Sequence, residues 1–94
     1  MSLPLVPSLP RHGMNQNDTA FLQRLGTCIR ERRSALNMTQ AQLAESCGLH
    51  RTFIGSVERG ERNVALLSLR KIASSLRVTP AELLTDPGAP TAKT

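Results

Sequence analysis

Three observations predict an all-α fold with five helices for this chain. Apolar residues recur at the 3.6-residue helical period in two long series, Phe21, Leu22, Leu25, Ile29 and Leu66, Leu69, Ile72, Leu76. Helix-start chemistry precedes later helices: Thr39 with Gln42 and Thr79 with Glu82 place a hydroxyl three residues ahead of a side chain that can cap back. No segment alternates apolar and polar residues at a period of two, the pattern of a half-buried strand.

The first helix is expected from an N-cap at Asn17 or Asp18 to about Leu36. Its inner face is Phe21, Leu22, Leu25, Cys28, Ile29 and Leu36, and its other face carries Arg24, Arg30, Arg32 and Arg33. Asn37 can adopt the left-handed conformation that closes a helix. The second helix, about Gln40 to Ser46, turns Leu43 and Ala44 inward and stops at Gly48, which supplies the positive φ of a tight turn. The third, about Arg51 to Arg59, begins after Leu49 or His50, anchors through Ile54 and Val57, and ends at Gly60. A fourth runs from about Ala65 to Leu76. Pro80, at the first position after Thr79, opens a short fifth that includes Glu82 to Leu84. Residues 1–16, broken by Pro4, Pro7 and Pro10, are expected to be a disordered tail, residues 17–85 the folded domain, and residues 86–94 a flexible tail. Met14 is an alternative to Met1 as the starting residue.

Ninety-four residues hold one domain, with a core near the lower size limit for standing alone, so dimerisation is a natural source of stability. The net charge is +5, and ten of the twelve cations are arginine. That balance suits a polyanion, and the guanidinium favours bidentate contacts to phosphate and guanine. Cys28 and Cys47 fall in different elements and match no metal spacing, so neither a disulfide nor a metal site is expected. The N-terminus lacks signal-peptide order, no apolar run is long enough for a membrane span, and a cytoplasmic location is expected. No Ser/His/Asp set, Cys–His pair, phosphate loop or carboxylate pair is placed for catalysis; no enzyme activity, cofactor or small-molecule ligand is expected.

Helix, Gly-containing turn and helix between Thr39 and Asn63 make a helix-turn-helix, which in a small basic chain points to double-stranded DNA. With Ile54 and Val57 inward, the third helix presents Arg51, Thr52, Gly55 and Ser56 on its outer side. Arg51 can hold guanine bidentately, and Thr52 and Ser56 can bond to base edges or touch thymine methyls. Phe53 falls between the faces: it either closes the edge of the core or meets a thymine methyl.

The stretches LGTCIRERR, MTQAQLAESCGL, RTFIGSVERGERN and LLSLRKIASSLRVTPAELL, spanning Leu25 to Leu84, resemble the lambda-repressor-like, or Cro/C1-type, helix-turn-helix family. Within it, RTFIGSVERGERN is similar to the controller proteins of restriction–modification operons, where the aromatic residue is commonly tyrosine and Phe53 lacks the hydroxyl. The resemblance implies a phosphate contact and a brace on the third helix from Gln40, and phosphate contacts from Arg59, Arg62 and Asn63. It also implies an ion pair, Arg33 with Glu58, tying the first helix to the third. A homodimeric transcription regulator on a pseudo-palindromic operator is the leading expectation, with Leu66, Leu67, Leu83 and Leu84 as dimer-surface candidates. The competing expectation is an antitoxin or adapter that keeps the motif as an interaction scaffold.

Overall fold

A computed structural model describes residues 15–85 as five helices: α1 (Gln16–Ala35), α2 (Gln40–Cys47), α3 (Arg51–Glu58), α4 (Leu66–Ser75) and α5 (Pro80–Leu84). No strand occurs among the described residues. The tails expected at 1–16 and 86–94 lie outside the described residues except Asn15 and Gln16, which belong to the first helix and its cap. The cap, Asn15, lies two residues before Asn17 and three before Asp18, the expected alternatives. Asn15 accepts from the Asp18 N–H at 2.9 Å, and Asp18 in turn accepts from the Asn15 N–H. The expected boxes at Thr39–Gln42 and Thr79–Glu82 both form. Hydrogen bonding from the Thr79 N–H, foremost, holds the Glu82 carboxyl below its ordinary range.

Four helices end in the same way. A left-handed residue stands at or just past each C-cap: Asn37 at φ 59°, Gly48 at 70°, Gly60 at 75° and Arg77 at 64°. Around each, paired N–H groups return to the last carbonyls, as in Gly60 to Val57 at 3.0 Å and Glu61 to Ser56 at 3.0 Å. This closure satisfies carbonyls that the helix itself leaves free. Asn37, Gly48 and Gly60 are the residue types the sequence expects there; Arg77 carries no such signal.

All five helices meet in one core. Ile29 of α1, Leu43 of α2, Ile54 and Val57 of α3, Ile72 of α4 and Leu83 of α5 are its most completely buried large side chains. The helix α3 packs on both α1 and α2, while α4 packs on α2 and α5 and α1 reaches α5. The crossing of α1 and α3 is close because Gly26 has no Cβ; one there would run into the carbonyl oxygens of Val57 and Glu58. The core thus holds α3 from behind along its inner face.

Several apolar residues depart from the expected stripes. Phe21 is 43% exposed, and Leu66 is 73% exposed because it stands at the first turn of α4, before the helix descends onto α2. Leu36 lies one residue beyond α1, where the chain is already turning, and it is exposed. Leu83 corrects the dimer-surface expectation in the other direction. At 1% exposure its side chain completes the core beneath α5 and leaves no surface to offer.

Candidate nucleic-acid interface

The helix α3 is short, and its amphipathicity decides what it can present. Ile54 and Val57 are 0% and 2% exposed, and the backbone between them is buried with them. What remains outward is its start: Arg51 and Thr52 are exposed, and Arg51 has no ion pair or hydrogen bond among the described residues. His50, the N-cap, contributes no side-chain bond to the first amides of α3, and neither does Ala65 to those of α4. The three other helices are each closed by a capping box. Free N–H groups at a helix start carry partial positive charge, so α3 and α4 begin in a form suited to anionic partners.

Two residues expected on the free outer side, one of them the expected base contact Ser56, are buried instead. Ser56 is only 8% exposed; its hydroxyl donates to the Phe53 carbonyl at 2.8 Å and accepts from Arg62 Nε at 3.2 Å. Gly55 is buried as well. Both are covered by neighbouring side chains, Gly55 by Arg59 and Gln40 and Ser56 by Arg62, which leaves α3 a narrower free outer face than helical spacing alone suggests. Ser56 is therefore not a free base-contacting group but a fastening for Arg62. Phe53 takes the core-edge position that was one of its two expected roles. It is half-buried against the core, and the Arg62 guanidinium lies 5.3 Å from its ring centroid. That cation–π contact, with the Ser56 bond, lays an exposed arginine along the outer edge of α3.

The brace behind α3 is built on Glu58, whose side chain is 3% exposed. Arg33 grips it with two donors, Nε to Oε2 at 2.6 Å and Nη2 to Oε1 at 2.9 Å. The third guanidinium nitrogen, Nη1, donates to the Met38 carbonyl at 2.7 Å. Gln40 Nε2 adds a bond to Glu58 Oε1 at 3.0 Å. The carboxylate, foremost by hydrogen bonding, raises the Arg33 pKa above its ordinary value. One buried anion thereby joins the end of α1, the turn at Met38, the first residue of α2 and the last of α3. The ion pair and the Gln40 brace stand as expected. The Met38 carbonyl was not foreseeable, since any backbone carbonyl looks the same in a sequence.

Gln40 is half-buried, and Arg59, Arg62 and Asn63 are exposed around α3. Glu61 falls among them and accepts from Arg59 Nε at 3.1 Å, an ion pair not among the expected contacts. The cysteines are structural. Cys47 is buried and donates to the Leu43 carbonyl at 2.9 Å, with burial, foremost, raising its pKa; Cys28 is half-buried and packs against the core. Among the described residues, no group of His, Cys, Asp or Glu is arranged to hold a metal, and no helix is long and apolar enough to cross a membrane.

This architecture, two short helices at a glycine turn with the second buttressed by a buried ion pair, defines a helix-turn-helix protein. A helix-turn-helix family model matches residues 29–83, and the chain belongs to that family, of the Cro/C1 type. Control protein C.SmaI of Serratia marcescens is 52% identical to it over 60 residues, covering 64% of this chain and 71% of that protein. The crystal structure of the restriction–modification controller protein C.AhdI from Aeromonas hydrophila matches with a TM-score of 0.67 and 44% identity, covering 68% of this chain and 97% of that one. The C.Esp1396I controller, solved as a tetramer with its natural 35 base-pair operator, matches at TM-score 0.62 and 33% identity, covering 67% of this chain and 83% of that one.

Proposed function

We propose that this chain is a sequence-specific transcriptional regulator of the restriction–modification controller kind, acting as a homodimer on a pseudo-palindromic operator. The carrying observation is the start of α3: Arg51 and Thr52 project from an uncapped helix end whose opposite face is anchored in the core. The similarity to controller proteins, one of them solved on its operator, supports the same reading. Each α3 enters a major groove, and the two half-sites lie about one helical turn, roughly 34–36 Å, apart. Arg51 takes a guanine edge and Thr52 a neighbouring base, while Phe53 offers its exposed ring edge to a thymine methyl. Gln40, Arg59, Arg62 and Asn63 hold phosphates on either side, and the free amides at the start of α4 add a further donor set.

Footprinting on the DNA upstream of the chain's own gene tests this directly. Two symmetric protected half-sites are expected, and no protection at any salt concentration overturns the reading. Within the protected site, Arg51→Ala is expected to cost about 1–3 kcal/mol and to relax preference at one base position. A loss that is uniform over all sequences reassigns Arg51 to the phosphates.

A further inference from the structure

A carboxylate sits where the proposed DNA face calls for cations. Arg59 Nε donates to Glu61 Oε1 at 3.1 Å, and the two side chains are 61% and 58% exposed. Neither partner is loosely placed. Arg59 is the C-cap of α3, its N–H bonded to the Gly55 carbonyl at 3.1 Å; Glu61 is pinned through its N–H to the Ser56 carbonyl at 3.0 Å. The guanidinium runs back over Gly55, where an added Cβ would lie 3.3 Å from Arg59 Nη1 and 3.5 Å from Gln40 Oε1. Arg59 therefore shares its position with Gln40, at the start of α2, beside the outer face of α3. An ion pair this exposed contributes little to folding. On a surface facing phosphates, the negative charge of Glu61 opposes binding.

We infer that Glu61 acts as an intramolecular stand-in for a DNA phosphate, occupying Arg59 until a correctly seated duplex displaces it, and so holds down the affinity of the interface. This rests on the DNA-binding reading above. In a loose, non-specific complex the phosphates are held at a distance and screened by salt, and Arg59 stays with its carboxylate. In the seated complex, contacts at Arg51 and Thr52 fix the register and bring a phosphate within hydrogen-bonding range of Arg59. The exchange then releases one more counterion than the loose complex does. Glu61 thus lowers affinity on both: the seated complex bears the cost of displacing it, and the loose complex forgoes the weaker contact of Arg59 to a distant phosphate.

The test compares the wild-type protein with Glu61→Gln, which removes the charge and keeps the shape, on the footprinted operator and on a scrambled duplex of equal length. Affinity for the scrambled duplex is expected to rise several-fold, with its logarithmic salt slope steeper by about 0.9, the value for one extra phosphate. Operator affinity rises by at least as much, with its salt slope unchanged, because there the phosphate already sits on Arg59 in the wild-type protein. Adding Glu61→Gln to an Arg59→Gln background should change little, because the released arginine is gone. Glu31→Gln, the same charge change on an exposed residue of α1, should leave both affinities near wild type. No change in affinity, a salt slope that steepens on both duplexes or on neither, or an equal gain from Glu31→Gln overturns the inference while leaving the DNA-binding reading intact. Absence of any salt-dependent binding by the wild-type protein removes the DNA-binding reading itself, and this inference with it.

Discussion

Arg33 shows how much one side chain can organise. Each of its three guanidinium nitrogens donates one bond, two to Glu58 and one to the Met38 carbonyl, and the Arg33 side chain is only 13% exposed. A buried pair of this sort is weak evidence for net stability against an apolar replacement, yet removing one partner strands the other charge. Arg33→Ala is accordingly expected to destabilise the fold by about 3–5 kcal/mol, read from urea or thermal unfolding. Base preference in the fraction that remains folded should be unchanged, because Arg33 acts on α3 from behind. Equal melting temperatures for variant and parent would show that the pair is dispensable. Residue type alone could not reveal this role; it followed from a family resemblance, and the two short bonds to Glu58 supply its physical content.

Elements in this chain begin and end by rules that are local, and most are visible in sequence. Capping boxes at Thr39 and Thr79 and left-handed closures at Asn37, Gly48 and Gly60 need only neighbours within a few residues. Arg77 breaks the pattern by holding φ at 64° with a full side chain, where the Cβ crowds the following carbonyl. Arg77→Gly should therefore stabilise the protein by about 0.5–1 kcal/mol, since glycine occupies this region without the steric penalty. A shift of that free energy raises the melting temperature by a few degrees, measurable by calorimetry or circular dichroism, on the scale of about 4–8 °C per kcal/mol for a domain of this size. A fall in melting temperature would mean that Arg77 makes up its backbone cost elsewhere. The first helix began earlier than expected for an equally local reason. Asn15 and Asp18 complete a reciprocal box, and that pairing outcompetes a cap at Asn17 or Asp18.

At the scale of the whole molecule, the apolar surface left by the fold marks where a second copy belongs under the proposed function. Leu66, Leu67 and Leu84 are 73%, 66% and 41% exposed, on α4 and α5, and a core this small gains from sharing surface with another. Leu67→Glu is expected to convert the homodimer to monomer in sedimentation equilibrium and to weaken operator binding, with the helical content of the monomer retained. An unchanged dimer would move the interface away from the start of α4.

The five helices, the glycine turn, the family, and Arg51 and Thr52 at the front of α3 were all determined by the sequence, because periodicity, caps and turns are properties of neighbouring residues. Only the tertiary structure decided that Ser56 fastens Arg62 and is not free for bases, that Leu83 belongs to the core, that Leu66 does not, and that Glu61 engages Arg59. The helical period tells which residues share a face. Which neighbour covers that face, and how far around the helix it reaches, depends on how α1, α2 and α4 cross, and no local pattern in the chain carries that information.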